Sequence, residues 1–297
     1  MLRNRQLLKK QGLCVIAAGL FSLLGNAGLA QDLPPNTAAE KESVKLSAAI
    51  DRAAMEEFLV KARVVQKREL SMGVTNSHRA ILDDGQRKHD AHIQTVDISK
   101  ASFQTMRGTE LAFRDSYKFN MAAYELDKLL ELNMVPVSVE RKVGGQQAAV
   151  TWWVDDLMMT ELDRMKKKTQ SPNLPGWNQQ MYVCRVFDQL IYNTDRNLGN
   201  LVITKDWNIW LIDHTRAFRR MKDLQTPQNL VQCDRKLLAK MRELSSEVLN
   251  QKLGRYLSSV EIDAILSRRD KIVKLFDDKI AQTGEAKVLF DLDRSQY

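Results

Sequence analysis

Two short polar stretches on either side of an apolar segment decide how this chain of 297 residues folds. Residues 193–203 read NTDRNLGNLVI, and residues 212–216 read IDHTR. The segment between them, residues 201–212, consists of two short apolar runs around a Lys-Asp turn, a pattern that predicts a β-hairpin. Because a tight hairpin returns the chain to its starting point, we expect Asn200 and Asp213 to lie beside each other.

The polar residues of these stretches have the chemistry that phosphoryl transfer requires. That reaction needs a carboxylate next to the acceptor hydroxyl and oxygen ligands that hold Mg²⁺ against the phosphates. Asp195 is positioned for the first task, and Asn200 and Asp213 for the second. The competing interpretation is purely structural, because Asp and Asn are common turn formers that hydrogen-bond to their own backbone.

The spacing Asp195-x-x-x-x-Asn200, followed by a hairpin and Asp213, resembles the kinase-like superfamily. It is most similar to the atypical branches: phosphatidylinositol kinases, HipA-like kinases and Fam20-type kinases. The resemblance covers about residues 180–218 and is only topological elsewhere. It implies that Asp195 is the catalytic acid/base, that Asn200 assists catalysis and binds metal, and that Asp213 is the principal metal ligand. It also implies ATP and Mg²⁺, or Mn²⁺, as cofactors.

The same resemblance implies nucleotide-binding residues in the first half of the chain, and here the sequence departs from the family. Glu125 is the candidate for the helix Glu that pairs with a strand Lys, but the strand offers Gln94 at that position. Gln carries no charge, so a charge-assisted phosphate contact is lost. Lys118 is the candidate substitute, and Trp153 is the candidate for stacking on adenine. Their alternatives are a surface lysine, a core tryptophan and, for Glu125, a solvated helix charge.

The order of the predicted elements indicates an α+β, two-lobed, protein-kinase-like fold. About three antiparallel strands, a helix over residues 117–132 and a further hairpin are followed by a mostly helical second half. The expected divisions are a signal peptide (1–30), a flexible leader (31–55), an N-lobe (56–155) and a helical C-lobe with the catalytic-loop hairpin (156–297).

The first 30 residues predict export. A basic head precedes the apolar run Leu13–Leu24, and small residues follow at Gly28 and Ala30, as in a cleavable signal peptide. We therefore expect a periplasmic or secreted protein, or a membrane-anchored one if the segment is retained. An oxidising compartment permits Cys184 and Cys233 to pair, although two separate buried thiols are the alternative.

Composition excludes several classes of protein. With 44% hydrophobic and 28% charged residues, the chain is neither disordered nor a disulfide-rich miniprotein. The formal charge of +8 is modest once the basic head is set apart, because residues 1–30 hold four basic residues and no acid. The sequence holds no basic run with interleaved aromatic residues, which is the pattern that would indicate nucleic-acid binding. The expected partner is an acceptor hydroxyl on a protein, a lipid or a small molecule.

Three functions remain open from the sequence. The first is an exported kinase that transfers the phosphoryl group of ATP to a hydroxyl. The second is a nucleotidyl transferase on the same fold. The third is a pseudokinase that binds a nucleotide or a partner without chemistry, which Gln94 favours. The arginines Arg216, Arg219 and Arg220 follow Asp213 and face either phosphate, an acidic acceptor or solvent.

Overall fold

The computed structural model describes residues 52–69, 77–105 and 108–294. The predicted signal peptide and nearly all of the predicted leader lie outside these ranges, so both stay predictions. Within the described ranges, no helix is long and apolar enough to cross a bilayer.

The first lobe is built around a five-stranded sheet in which every pairing is antiparallel. Its elements, in chain order, are α1 (residues 52–61), β1 (Arg63–Glu69), β2 (Ser77–Asp83), β3 (Lys88–Gln94), β4 (Asp97–Thr105), β5 (Gly108–Ser116), α2 (Lys118–Leu130), β6 (Ser138–Val143) and β7 (Gln146–Trp152). The strand order is β1-β2-β3-β7-β6. The sequence predicted three strands and a separate hairpin, and the pairing of β7 with β3 joins them into one sheet.

Helix α1 extends the ordered lobe into residues that the sequence assigned to the leader. Arg52 Nη2 donates to Asp127 Oδ2 at 3.0 Å, and Asp127 is fully buried at the end of α2. Phe58 packs edge-on against Trp152 of the sheet, with ring centroids 5.7 Å apart. Residues 52–55 therefore belong to the folded lobe, because a buried carboxylate and an aromatic contact hold the helix in place.

The hairpin formed by β4 and β5 is an element that the sequence did not predict. It pairs from Asp97↔Ser116 to Thr105↔Gly108 and forms a sheet of its own. Both strands are largely exposed, and Leu111 is 70% exposed, so the apolar-polar alternation of a half-buried strand is missing. The end of β5 is nevertheless buried, and there it contacts the second lobe.

The second lobe is mostly helical, with two small sheets. Its elements are β8 (Leu157–Thr160), α3 (Glu161–Lys167), α4 (Leu174–Ile191), β9 (Leu201–Thr204), β10 (Ile209–Leu211), β11 (Cys233–Asp234), α5 (Arg235–Glu243), α6 (Ser246–Leu253), α7 (Ser259–Thr283), α8 (Glu285–Val288) and β12 (Leu289–Phe290). Strands β10, β9 and β8 form one sheet, and β11 pairs with β12 in parallel. The α+β, two-lobed architecture predicted from the sequence is confirmed.

Two further details of this lobe are the length of helix α7 and the state of the two cysteines. Helix α7 is continuous over 25 residues, and neither Gly nor Pro interrupts it. Cys184 and Cys233 are both buried free thiols, so of the two alternatives the structure contains separate cysteines.

Candidate active site

The β9–β10 hairpin brings the two polar stretches together at its open end. Leu201 pairs with Leu211, and Ile212 N donates to Asn200 O at 3.1 Å. Asp213 directly follows this contact, so Asn200 and Asp213 lie side by side, as the sequence predicted. Helix α4 ends at Ile191 and leads into the loop that carries Asp195.

The loop before the hairpin is held by its own polar side chains. Asn193 Oδ1 accepts from Asp195 N at 3.0 Å, and Asn197 Oδ1 accepts from Gly199 N at 2.9 Å. Asn200 Nδ2 donates to the backbone oxygen of Asp195 at 3.2 Å. This bond occupies the amide nitrogen of Asn200 and leaves its Oδ1 as the atom able to face a cation. Asn193 and Asn197 are thus the turn formers of the loop.

Asp213 has a backbone conformation that is rare for a residue other than glycine. Its φ is 54°, in the left-handed region, where a side chain costs free energy that the surrounding structure must offset. Thr215 Oγ1 donates to Asp213 Oδ1 at 3.1 Å, and the next backbone nitrogen, His214 N, donates to Asn120 Oδ1 at 2.9 Å. Such outliers concentrate at functional sites, and here the outlier is the predicted principal metal ligand.

Arg196 joins the parts of the site. Its guanidinium pairs with Asp188 of α4, with Nε 3.0 Å from Oδ2, and its Nη1 donates to Asn200 O at 2.8 Å and to Ile212 O at 2.9 Å. Its Nη2 lies 3.0 Å from His214 Nε2. Burial and the charge of Arg196 hold the pKa of His214 well below its usual value, so this imidazole is neutral. One side chain thereby fixes both ends of the hairpin to α4.

Asp195 lies in a row of charges that continues into the first lobe. Arg216 Nε donates to Asp115 Oδ2 at 2.8 Å, and Arg216 Nη1 lies 3.7 Å from Asp195 Oδ2. Burial raises the pKa of Asp195, Arg216 opposes that shift, and the negative charge of Asp213 adds to it. The net rise makes Asp195 a stronger proton acceptor than a solvated aspartate, which suits a general base.

Gln94 contacts the site through a chain of amides. Its Oε1 accepts from Asn120 Nδ2 at 2.8 Å, and Asn120 Oδ1 accepts from the backbone nitrogen of His214. Gln94 is 1% exposed and shares a strand face with His92, because alternate residues of β3 point the same way. Burial lowers the pKa of His92, although the charge of Asp213 opposes this, so the groups on this face near the site are neutral.

Glu125 and Lys118 lie elsewhere. Glu125 Oε1 is 2.8 Å from Lys128 Nζ, and the helix residue that contacts Gln94 is Asn120. Glu125 comes five positions after Asn120. On an α-helix this spacing turns the direction of the Glu125 side chain by about 140° from that of Asn120. Lys118 Nζ lies 3.3 Å from Asp97 Oδ2. The helix was therefore identified from the sequence, but its rotation was not.

Trp153 follows β7 at the opposite end of β3 from Gln94. Its backbone nitrogen donates to Asp90 O at 3.2 Å, and Arg79 lies over its indole ring, 4.2 Å from the centroid. One face of the ring thus carries a guanidinium. A nucleotide base stacked on Trp153 would have to use the other face or displace Arg79.

The donor set fits a metal-nucleotide complex better than a structural metal site. Across residues 52–69, 77–105 and 108–294, no group of three or more His, Cys, Asp or Glu side chains is arranged to hold a metal ion. Asn200 and Asp213 offer one amide and one carboxylate. Mg²⁺ is typically bound by one or two carboxylates together with substrate phosphates and water, so two protein ligands are sufficient.

Sequence reasoning missed several residues of this site. Arg196 lies between Asp195 and Asn200, and it could have been identified as the only cation between these two residues. Asn120 is a polar residue on the buried side of α2, a signal that becomes visible once the helix rotation is known. Asp115 had no signal, because the hairpin that carries it was not predicted.

Solved kinase structures share this fold. A Fam20 protein from hydra, solved with sugar, matches with a TM-score of 0.60 and 13% identity over 82% of this chain and 93% of that chain. The Golgi casein kinase with Mn/ADP bound matches with a TM-score of 0.56 and 12% identity, over 81% of this chain and 79% of that one. No protein-family model matches the sequence, and no curated protein matches it. At these identities the likeness concerns architecture, and the chain has an atypical kinase-like fold.

Proposed function

We propose that this protein is a phosphotransferase that moves the terminal phosphoryl group of ATP to a hydroxyl acceptor. The observation that carries the proposal is the meeting of Asp195, Asn200 and Asp213 at the open end of one hairpin. The kinase-like fold supports it independently.

The chemical roles follow from the positions of the side chains. Asp195 accepts the proton of the acceptor hydroxyl while the acceptor oxygen bonds to the γ-phosphorus. The bond from that phosphorus to the bridging oxygen breaks, and ADP leaves with the electron pair. The raised pKa of Asp195 favours proton transfer to it. Arg196 holds the loop and the hairpin in register, so that the reacting groups need little rearrangement.

Asn200 Oδ1 and the Asp213 carboxylate are the groups that would hold a divalent cation. When bound, Mg²⁺ or Mn²⁺ neutralises phosphate charge in the transition state. The Golgi casein kinase was solved with Mn/ADP bound, which supports a nucleotide and a divalent cation as the bound molecules in the proposed reaction. Gln94 and Asn120 bring no charge to this side of the site, because they form a neutral amide pair.

The acceptor and the compartment are also proposals. The basic head and apolar run of residues 1–30 favour export, to the periplasm or the exterior, with membrane attachment if the segment is kept. The proposed acceptor is a hydroxyl of a protein, a lipid or a small molecule, since the sequence holds no basic run with interleaved aromatic residues of the kind that binds nucleic acid.

A pseudokinase is the second candidate, and one observation favours it. Gln94 and Asn120 form a neutral amide pair where the family resemblance implies a Lys–Glu pair. A neutral clamp weakens the hold on phosphate. Such a protein would bind a nucleotide without turning it over.

One experiment separates these functions. The full chain is first tested for thermal stabilisation by ATP with Mg²⁺ or Mn²⁺, and then incubated with ATP and analysed by intact mass. Added phosphate indicates a kinase, added AMP a nucleotidyl transferase, and stabilisation without modification or ATP turnover a pseudokinase. The absence of any metal-dependent stabilisation would contradict nucleotide binding.

Two variants assign the roles. We expect Asp213→Asn to remove metal-dependent ATP binding, whereas Asp195→Asn should bind ATP and lose turnover. Asp206→Asn, in the exposed hairpin turn, is the matched control and should behave as the wild type. Full turnover by Asp195→Asn would show that another group is the base.

A further inference from the structure

We propose that Arg216 donates hydrogen bonds to the transferred phosphoryl group and supplies the positive charge that Gln94 lacks, with Asp115 as its positioning residue. This inference rests on the proposed function and assigns Arg216 to phosphate, one of the three alternatives that the sequence left open for it. Arg216 follows the metal-ligand segment, and Asp115 belongs to the hairpin β4–β5.

The other cations around the site are committed to other partners. Lys118 pairs with Asp97, and the guanidinium of Arg196 is taken up by Asp188, two backbone oxygens and His214. Arg219 is 3% exposed and lies 2.6 Å from Glu110. None of these three groups is free to follow a phosphate.

The guanidinium of Arg216 makes its hydrogen bond on one side, through Nε. Its Nε bonds to Asp115, whose side chain is 2% exposed, while the side chain of Arg216 is 31% exposed. Its backbone oxygen accepts from Thr194 Oγ1 at 2.9 Å, and Phe113 lies under the guanidinium, 5.7 Å from ring centroid to Cζ. The backbone and one nitrogen are thus fixed.

The other side of the Arg216 guanidinium faces the proposed base in a loose ion pair. Nη1 is 3.7 Å from Asp195 Oδ2, too far for a hydrogen bond, so its N–H groups are not saturated by that carboxylate. The fork of an arginine fits two phosphate oxygens at once. A phosphoryl group in transit to an acceptor beside Asp195 would lie within reach of this fork.

The charges around Arg216 also favour the binding of a phosphate together with a divalent cation. The charges of Asp115, Asp195 and Asp213 all act on the single guanidinium of Arg216. A divalent cation accompanied by phosphate brings in the positive charge these carboxylates need and the negative oxygens that Arg216 can bind.

The role is electrostatic and leaves the proton balance of the reaction unchanged. The acceptor oxygen bonds to the γ-phosphorus, the bridging oxygen departs with ADP, and the acceptor proton goes to Asp195. Arg216 keeps its proton throughout and donates to the equatorial oxygens, where negative charge stays during transfer.

The test compares ATP with AMP in the full-length protein. Wild type, Arg216→Gln, Arg216→Lys and Asp115→Asn are measured for Mg²⁺-dependent affinity by calorimetry and for turnover. Arg220→Gln is the matched control, since Arg220 is exposed on the same segment. We expect Arg216→Gln to lose about tenfold in ATP affinity but little in AMP affinity. Turnover should fall about 10²- to 10³-fold.

The other variants separate this role from a structural one. Arg216→Lys should recover part of the ATP affinity, because charge returns without the fork, and Asp115→Asn should lower kcat more than AMP affinity. If Arg216 only fastens the hairpin, the melting temperature falls and the ATP-to-AMP affinity ratio stays as in the wild type. Should Arg216→Gln fail to fold, the ratio measured for Arg216→Lys decides.

The outcomes distinguish this inference from the function it rests on. Unchanged ATP preference and turnover in Arg216→Gln, with turnover lost in Asp195→Asn, would overturn the role of Arg216 and leave the kinase function standing. A wild-type protein that binds no nucleotide would overturn both.

Discussion

The ionisation of Asp195 links the chemistry of the site to the stability of the protein. Its pKa is raised above the ordinary value of an aspartate, chiefly by burial, with Arg216 opposing the rise and Asp213 adding to it. A carboxyl group whose pKa is higher in the folded state stabilises the fold most at acid pH. That contribution is lost as the pH rises through the folded-state pKa, so the charged Asp195 carboxylate carries a cost at neutral pH.

Asp195→Asn should therefore raise the melting temperature at pH 7 while abolishing turnover. The gain should shrink as the pH falls through the raised pKa of Asp195 and should vanish below the ordinary aspartate pKa of about 4, where the wild-type carboxyl is protonated in both states. Thermal unfolding of both proteins between about pH 3 and pH 8 measures this, with Asp206→Asn as the control. A variant that is less stable than the wild type at pH 7 would mean that the ion pair with Arg216 outweighs burial.

Arg268 is the buried charge whose removal we expect to be most damaging outside the site. It is fully buried on α7, and its Nε donates to Leu190 O at 2.8 Å and its Nη1 to Arg219 O at 2.9 Å. Burial lowers its pKa to about 10. These bonds fasten the end of α4 and the segment after Asp213 to α7.

Arg268→Met should lower the free energy of unfolding by about 2–4 kcal/mol, because the carbonyl groups that it leaves are buried without donors. Urea unfolding measures the loss. Arg185→Met, at an exposed position of α4, serves as the control. Equal stability of the two variants would contradict this account of α7.

At the scale of elements, the β4–β5 hairpin is the feature that ties the two lobes together. Ser116 N donates to Thr215 O at 2.9 Å, and Glu110 of β5 pairs with Arg219. Arg114 of the same strand pairs with Glu261 of α7. The segment after Asp213 is thus held from two sides by ion pairs and a backbone bond.

The pair of the buried Arg219 and the partly buried Glu110 should show strong coupling. Arg219→Met alone should cost about 3 kcal/mol in unfolding free energy, because Glu110 keeps a charge without a partner. The double variant Glu110→Gln, Arg219→Met should recover part of that loss. Urea unfolding of the two single variants and the double variant measures the coupling, and strictly additive losses would refute it.

The elements that could be predicted well from the sequence are those with a clear periodicity of apolar residues or a clear turn or proline at their end. The β9–β10 hairpin has two apolar runs and a polar turn, and α2 has an apolar repeat that ends before Pro136. The β4–β5 hairpin has neither, since its stabilising contacts come from Arg216 and Arg219 about a hundred residues later. Such pairings are a property of the packed lobes and leave no local trace.

The same distinction applies to the site. Asp195, Asn200 and Asp213 could be proposed together from the sequence, because one local segment contains all three and fixes their spacing. Gln94 contacts this segment through Asn120, yet the sequence indicated Glu125, since helix rotation is set by tertiary packing. Residues that meet across lobes therefore required the structure.

At the scale of the whole molecule, two lobes contribute to one site. Asn120 and His214 are 94 positions apart, and Asp115 and Arg216 are 101 apart, yet each pair is joined by a hydrogen bond. Kinase structures of 12–13% identity share this architecture although nearly all of the sequence differs. The proposed function rests on the few polar groups at the junction of the lobes.

The most direct test of this account is whether Asn200 and Asp213 share one cation. Mn²⁺ affinity in the presence of ATP should be measured for the wild type, Asn200→Ala, Asp213→Asn and the double variant. We predict that each single variant loses most of the affinity and that the double variant loses little more, because two ligands of one ion are not independent. Wild-type affinity in either single variant, or losses that simply add, would contradict the shared site.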